Sequence, residues 1–406
     1  MKGSNKSVIS GIMLTAGSAI GAGMFSLPIV SSGMWFTLSI ICFLFIWLIS
    51  YLGALMILEV NLQYPVGSSF NTFVTDLLGK TGSIIFTLCI CFILYILLYA
   101  YFSAFGNMAA HTLSIENPSS WVQGGLGLLL GLGFAIAVWI STSFTGRIAS
   151  ILVVAMAISF VIASVGALSN ISFSLLWNIE ASYMQYMWSG LPYFITSFGF
   201  ASIVPSLYKH YGKDVRKIKA GLFYGSIIAL VTYVLWLMIS FGNIPREEFI
   251  AINLSGGNAG DLTKAIEQKI GNLSIQKALN FFSNFAIISS FLGVGLSLFD
   301  YIADHLNMSN NKEGRFLTTC MTFLPPGICS LFFPHGFIAA IGYAGFVLYI
   351  GFFLIPFFLI WKSRKTEKAL LYTLSGGKAV LIFVFVLSTI TAVCHVLAKS
   401  NLLPTY

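Results

Sequence analysis

The sequence predicts an all-α membrane protein with eleven transmembrane helices, arranged as an inverted five-helix repeat in which helices 1 and 6 are broken. Three observations lead to this prediction. Of the 406 residues, 57% are apolar and 8% are charged, whereas a soluble domain is about 25% charged. Eleven apolar stretches have the roughly 20 residues that a helix needs to cross a bilayer. Two of these stretches, five spans apart, are interrupted by glycine and proline.

A chain with so few charges cannot cover a solvated surface in proportion to its length. This excludes a soluble enzyme, a nucleic-acid-binding protein and a disordered regulator, and it makes lipid the solvent for most of the chain. The six cysteines lie inside apolar runs, without a CxxC pair or a histidine cluster. We interpret them as buried thiols, so the sequence predicts neither a disulfide framework nor a metal site.

The eleven spans follow one another with short connections, apart from one longer loop. We place them at residues 8–32, 35–63, 82–110, 122–142, 148–169, 189–208, 218–242, 278–300, 316–334, 337–361 and 379–398.

The distribution of positive charge predicts the orientation of the chain. With a cytoplasmic N-terminus, sixteen of the 21 Lys and Arg residues fall inside and five fall outside. Cytoplasmic loops of membrane proteins carry such an excess of Lys and Arg. The N-terminus is therefore predicted to be cytoplasmic and the C-terminus to lie on the opposite side.

The outside loop at residues 243–277 is the only sizeable element predicted outside the membrane. Within it, Leu262, Ile266 and Ile270 recur at helical spacing among charged residues. This pattern predicts a short amphipathic helix that lies on the membrane or over the mouth of the bundle. A plain connecting helix is the alternative.

Span 1 contains the segment GSAIGAGMFSLP, from Gly17 to Pro28, and span 6 contains LPYFITSFGFASIVPSL, from Leu191 to Leu207. Glycine and proline both disfavour a helix interior. Gly17 and Gly21 also form a GxxxG pattern, and close helix packing is the alternative explanation for the first break. That alternative explains one such span better than it explains two in corresponding positions.

The two broken spans are the first and the sixth, five apart, and five is odd, so the second block of helices must run inverted relative to the first. The sequence thus predicts one repeat at 1–169, an inverted repeat at 189–361, and an eleventh helix at 379–398 outside both. Broken helices in corresponding positions of inverted halves point to the binding site of a secondary transporter. Amide groups at a break bind a carboxylate and carbonyls bind an ammonium, so an α-amino acid fits the design.

Twelve segments spread along essentially the whole chain match one known family. They are GSSFNTFVTDLLGK (Gly67–Lys80), GNIPREEF (Gly242–Phe249), GAGMFSLP (Gly21–Pro28), MILEVNL (Met56–Leu62), FILYILLYAY (Phe92–Tyr101), TSFGF (Thr196–Phe200), VPSLYKHYGKD (Val204–Asp214), FSNFA (Phe282–Ala286), SSFLGVGLSLFDYIAD (Ser289–Asp304), TFLPP (Thr322–Pro326), GFIAAIGYAG (Gly336–Gly345) and NLLP (Asn401–Pro404). Through these segments the chain resembles the bacterial aromatic amino acid permeases, the tryptophan and tyrosine carriers of the hydroxy- and aromatic-amino-acid permease group. The first two segments favour the tryptophan branch.

The resemblance implies a fold of the amino acid–polyamine–organocation, LeuT-like type and proton-coupled import of an aromatic amino acid across the bacterial inner membrane. By the same analogy, the substrate carboxylate would meet the backbone of the first break, and the amino group would meet carbonyls of the second. The aromatic ring would meet side chains of helices 3 and 6. The implied residues are Ser18, Ala19, Ile20, Gly21, Ala22 and Gly23 for the carboxylate, Ser197 and Phe198 for the amino group, and Tyr95, Tyr99 and Phe200 for the ring. Gly199 is a further implied substrate-binding residue.

Two positions depart from the family pattern. The family carries a His after the FGF of helix 6, where this sequence has Ala201, and a Lys midway along helix 5, where it has Met156. A lysine amine at that second position could stand in for a coupling sodium ion. The resemblance therefore leaves the coupling ion and the substrate preference open.

Ionisable residues within membrane spans are costly and usually functional. Glu59, Asp300 and Asp304 are the candidates for proton carriage or an inner gate, with Arg147 and Lys6 as plausible partners. An ion pair that only fixes a helix end is the alternative for each carboxylate, and it is favoured for Asp304.

The sequence therefore predicts a secondary active importer of aromatic amino acids that works by proton symport. Tryptophan is the preferred substrate, and tyrosine and phenylalanine are further candidates. We expect the protein to act in the bilayer without a cofactor, nucleic acid or obligate protein partner. A serine/threonine carrier of the same group and a passive channel are the alternatives. A membrane-embedded enzyme is disfavoured because no HExxH motif or facing acid pair is present.

Overall fold

The computed structural model describes residues 7–113, 115, 118–178, 180–257, 259–365 and 371–406. These parts of the chain form a bundle of helices joined by short turns. The helices are α1 (Val8–Ala19), α2 (Ser26–Ser31), α3 (Trp35–Asn61), α4 (Phe70–Thr112), α5 (Ser120–Ile140), α6 (Thr142–Leu168), α7 (Phe173–Leu176), α8 (Met187–Ser197), α9 (Val204–Tyr211), α10 (Val215–Asn243), α11 (Glu248–Leu254), α12 (Ala259–Lys269), α13 (Leu273–His305), α14 (Lys312–Phe332), α15 (Phe337–Tyr349), α16 (Ile355–Ser363) and α17 (Gly377–Lys399).

The predicted break in the first span is confirmed. Helix α1 begins after Ser7, whose side chain accepts a hydrogen bond from the Ile9 amide, and it ends at Ala19. A short 3-10 turn, Ala22–Phe25, then leads into α2. The two halves are bent by 50° relative to each other.

The predicted break in the sixth span is also confirmed. Helix α8 ends at Ser197, a 3-10 turn covers Phe200–Ile203, and α9 follows directly. Pro205 lies in the first turn of α9, where a missing amide costs nothing because that amide has no helical partner.

Across the described ranges, nine helices are long and apolar enough to cross a membrane, or ten when α1 and α2 count as one bent span. Helix α14 lies at the predicted ninth span, 316–334, but it is less apolar than the other long helices. Its first turn carries Lys312, Glu313 and Arg315, and its interior contains Pro325 and Pro326. The full set of eleven spans and the inverted repeat therefore stay predictions.

Helix α4 begins twelve residues before the span predicted at 82–110. Its first part carries buried Phe73 and Val74 and is separated from the long apolar part at Gly79, which has a φ of 74°. A positive φ is easy only for glycine, so Gly79 permits the kink. Because the TDLLGK segment contains charged residues, a search for apolar spans does not find this short helix.

Two helices, α11 and α12, lie in the segment 243–277, which the sequence predicts to be an outside loop. The predicted amphipathic helix is α12, and Leu262, Ile266 and Ile270 are all fully buried. Their apolar stripe packs against α13, α4 and the 3-10 turn of the first broken span. Of the two predicted positions for this helix, the structure favours the one over the bundle.

Candidate functional site

A cavity of about 1020 Å³ lies between the two broken spans. Its walls include Gly17–Gly21 and Gly23 from the first break, and Thr196, Ser197, Gly199 and Ser202 from the second. From there it extends between α4, α6 and α13 to the end of the bundle that carries Ser7, where Asp304 and His305 line it.

The first break leaves backbone donors at the cavity wall. The Ala22 amide donates to the Ser290 hydroxyl at 2.9 Å. The amides of Gly21 and Gly23 form no hydrogen bond to any described residue, and both glycines line the cavity. An unwound stretch with free amides ahead of a following helix favours a negative group.

The glycines of this break do not serve helix packing in the GxxxG manner. A Cβ added at Gly17 would meet no atom within 4 Å, because that position faces the cavity. A Cβ at Gly21 would lie 2.8 Å from the Ser290 hydroxyl oxygen. Gly21 is therefore needed so that Ser290 can reach the Ala22 amide.

The second break contributes acceptors. The hydroxyl of Tyr233, on α10, lies 2.7 Å from the Ala19 carbonyl oxygen and 2.8 Å from the Ser197 carbonyl oxygen. These carbonyls belong to the last residues of α1 and α8, whose C-terminal ends carry partial negative charge. Both Ala19 and Ser197 line the cavity, so the site offers donors from one break and acceptors from both.

The structure brings most of the predicted backbone residues to the cavity. Those that line it are Ser18, Ala19, Ile20, Gly21, Gly23, Ser197 and Gly199. The side chains of Ala22, Phe198 and Phe200 are buried elsewhere in the protein and are not part of its lining. Phe198 packs edge-on against Phe43 and Tyr233, so it supports the site from behind.

The expected contacts of Tyr95 and Tyr99 with the substrate ring stay predictions. Neither residue lines the cavity, and their hydroxyls donate to the carbonyls of Met321, on α14, and of Phe333, just after it. Tyr101 lines it instead. Successive side chains of a helix point about 100° apart, so Tyr95 and Tyr99, one or two positions from cavity-lining residues of α4, can point away from the cavity.

An apolar wall faces the two breaks, and sequence reasoning missed it. Its members come from α4, α6, α13 and the tenth predicted span. They are Phe86, Ile90, Ile93, Leu94, Leu97, Val153, Val294, Ile341, Leu348 and Phe352. The spacing of the α4 members, with Tyr101 at the end of the row, is the only local signal that could have identified them.

Glu59 lies outside the cavity lining and is fully buried. Its carboxylate accepts hydrogen bonds from Arg364 at 2.6 and 2.8 Å and from the Leu374 amide at 2.7 Å. Arg364 was not among the expected partners. Of those, Arg147 is exposed on α6, and Lys6 falls outside the described residues.

Asp300 and Asp304 are both exposed, near the end of α13. Asp304 lines the cavity together with Tyr301 and His305, whereas Asp300 does not. Of the three candidate carboxylates, Asp304 is therefore the one that the structure brings to the cavity.

The two departures from the family pattern are buried away from the cavity lining. Met156 is 4% exposed on α6, and Ala201 is 2% exposed in the turn after the second break. Within the described ranges, no group of three or more His, Cys, Asp or Glu side chains could hold a metal ion.

The sequence model of the tryptophan/tyrosine permease family matches residues 4–395 of the chain. A tryptophan-specific transport protein of Pseudomonas aeruginosa (strain UCBPP-PA14) is 42% identical over 403 residues, which cover 98% of this chain and 97% of that protein. A tryptophan-specific transport protein of Shigella flexneri is 41% identical, with the same coverage. A tyrosine permease of Enterobacter agglomerans is 36% identical over 419 residues, covering 100% of this chain and 99% of its own.

Proposed function

The chain belongs to the tryptophan/tyrosine permease family, and on that premise we propose that it is a secondary active transporter that imports aromatic amino acids, with tryptophan preferred. Tyrosine and phenylalanine are the further substrates. The observation that carries the proposal is the cavity between the two breaks, which combines free amides, helix-end carbonyls and an apolar wall.

A zwitterionic amino acid with an aromatic side chain matches these three features. Its carboxylate would accept hydrogen bonds from the amides of Gly21 and Gly23. Its ammonium group would donate to the carbonyls of Ala19 and Ser197. Its ring would pack against Tyr101 and the aliphatic residues of α4, since aromatic rings bind through large apolar contacts.

We further propose alternating access. The cavity extends to the end of the bundle that carries Ser7, which is the cytoplasmic end if the positive-inside rule holds. At the other end, α12 packs over the turn of the first break. These features support an inward-facing state, in which movement of the broken spans and α12 would open the outer side.

Proton symport is the proposed coupling mode. Asp304 and His305 are an acid and a base on the cavity wall, and they are the residues through which a proton would pass to or from the substrate pathway. Glu59 is the weaker candidate because its carboxylate is held by Arg364 and the Leu374 amide. We expect Asp304→Asn to lower gradient-driven accumulation more than it lowers exchange of tryptophan across the membrane.

The chain is a multi-pass membrane protein, and we place it in the bacterial cytoplasmic membrane with its N-terminus inside and its C-terminus in the periplasm. This arrangement lets the cavity open to the cytoplasm, as release of an imported amino acid requires.

Uptake competition in proteoliposomes tests the proposed substrate class. Labelled tryptophan is offered with each of the twenty amino acids in excess, at two pH values, with and without sodium. We expect tryptophan, tyrosine and phenylalanine to compete, uptake to rise with an inward proton gradient, and sodium to have no effect. Competition by serine or threonine but not by aromatic amino acids would favour the related carrier class instead.

A further inference from the structure

The hydroxyl of Tyr233 occupies a point where two helix ends meet. It lies within hydrogen-bond distance of the carbonyl oxygens of both Ala19 and Ser197. The Tyr233 side chain is fully buried and packs edge-on against Phe43 and Phe198. This packing fixes the position of the hydroxyl relative to both broken spans.

The number of protons at this point is smaller than the number of acceptors. A tyrosine hydroxyl has one proton to donate, whereas each carbonyl oxygen has two lone pairs. Helices α1 and α8 end at or beside these carbonyls, so the next turn does not supply the usual donors. Tyr233 therefore satisfies one lone pair in total, and the others remain available on the cavity side.

An ammonium group has three protons and a positive charge, and it suits two negatively polarised helix ends. Both carbonyls lie within 2.8 Å of one oxygen atom, so they are close enough together for a single nitrogen to reach both. If they separated, one ammonium could no longer bridge them.

We propose that Tyr233 is a positioning residue for recognition of the substrate amino group: it ties the C-terminal ends of α1 and α8 together at the spacing of one ammonium. It approaches from behind the cavity wall and does not itself line the cavity. This inference rests on the proposed function, because it concerns the same binding site. Tyr233 thereby couples the two broken spans.

The test is binding of three ligands to purified full-length protein, wild type and Tyr233→Phe. Tryptophan has both charged groups, tryptamine has only the ammonium, and indole-3-propanoate has only the carboxylate. We expect the variant to bind tryptophan and tryptamine about tenfold more weakly, since a lost hydrogen bond to a charged-group site has that order of effect. Binding of indole-3-propanoate should stay within about twofold.

Tyr349→Phe is the matched control, because it removes a hydroxyl that contacts Thr389 away from the cavity. All three ligands should bind it as they bind the wild type. The proposal is overturned if Tyr233→Phe weakens the three ligands equally, as a purely structural role would, or if tryptamine binding does not change. A wild-type protein that binds none of the three ligands would instead count against the proposed function.

Tyr233→His is the second variant, for use if Tyr233→Phe does not give folded protein by thermal melting in detergent. The shorter imidazole cannot reach both carbonyls, so the same selective loss is expected. Equal weakening of all three ligands overturns the proposal here too.

Discussion

The buried carboxylate of Glu59 is held by the guanidinium of Arg364, with Nε 2.6 Å from one carboxylate oxygen and a terminal nitrogen 2.8 Å from the other. Two parallel bonds of this kind are the strong, bidentate form of an ion pair. The pair connects the end of α3 to the residue that follows α16, and the Leu374 amide adds a third bond.

This geometry predicts that Glu59 stabilises the fold and does not carry the coupled proton. Arg364→Ala would leave a buried charge without its partner, which costs about 3 kcal/mol. We expect a lower melting temperature in detergent, and accumulation and exchange of tryptophan should fall together. The double variant Glu59→Gln with Arg364→Gln should recover part of the loss because no charge is left unpaired.

Lys217→Ala is the control for Arg364→Ala. It breaks the exposed pair with Asp214, in which the atoms are 3.7 Å apart. Such surface pairs contribute at most about 1 kcal/mol, so its melting temperature should barely move. A Glu59→Gln variant that keeps exchange but loses accumulation would restore Glu59 as the proton carrier.

Gly21→Ala should impair tryptophan binding. The added methyl would lie 2.8 Å from the Ser290 hydroxyl oxygen, so either Ser290 or the unwound stretch must move. Overpacking of this kind costs about 1–3 kcal/mol, equivalent to a loss of about tenfold or more in affinity. Equilibrium binding of labelled tryptophan measures it.

Gly133→Ala is the matched control, because a Cβ there would meet no atom within 4 Å. It should leave binding unchanged and stabilise α5 slightly, since alanine costs a helix less than glycine. Full affinity in Gly21→Ala would mean that the Ser290 contact does not shape the site.

Tyr101→Leu should weaken tryptophan binding more than Tyr95→Leu does. Tyr101 lines the cavity, whereas the Tyr95 hydroxyl donates to the Met321 carbonyl on α14. Loss of an aromatic contact with the substrate ring would lower affinity about tenfold. Tyr95→Leu should mainly lower the melting temperature. A larger loss of affinity in Tyr95→Leu than in Tyr101→Leu would show instead that Tyr95 contacts the substrate ring.

The packing of α12 should respond to pH through Glu267. Burial raises the pKa of Glu267 to about 7, and the hydrogen bond from Asn280 opposes that rise. A raised carboxyl pKa stabilises the folded state at low pH, and this stabilisation is lost as the pH rises through the folded value. The packing of α12 should therefore be tighter at pH 6 than at pH 8.

Hydrogen exchange measures this for the α12 amides, after correction for the intrinsic pH dependence of exchange. Protection should be greater at pH 6 in the wild type, and Glu267→Gln should remove the difference. Glu248→Gln, which alters the exposed pair with Lys269, should keep it. Equal protection at both pH values in the wild type would show that Glu267 does not control the packing of α12.

The two breaks could be predicted from the sequence because glycine and proline act locally on a helix. The side of α4 that faces the cavity could not, because it depends on how the whole bundle packs. Tyr101 and Tyr95 have the same chemistry and lie within two turns of each other, yet only Tyr101 lines the cavity. Which of these two tyrosines faces the cavity therefore depends on how α4 packs in the bundle, and the residue type does not show it.

The contacts that hold the site in place join distant parts of the chain. Ala22 and Ser290 are 268 positions apart, Glu59 and Arg364 are 305 apart, and Ala19 and Tyr233 are 214 apart. Nothing in the local pattern around Glu59 selects Arg364 over Arg147. For the amphipathic helix α12, the apolar stripe could be predicted from the sequence, but the surface that it packs against could not.

Binding of aromatic amino acids in the cavity between the two breaks can be measured by the protection of a single cysteine. In a variant without the six natural cysteines, Val153→Cys places a thiol on the cavity wall and Val154→Cys places one on the exposed side of α6. We expect tryptophan to slow N-ethylmaleimide labelling at position 153 and to leave labelling at position 154 unaffected. Unchanged labelling at position 153, in protein that still transports tryptophan, would contradict it.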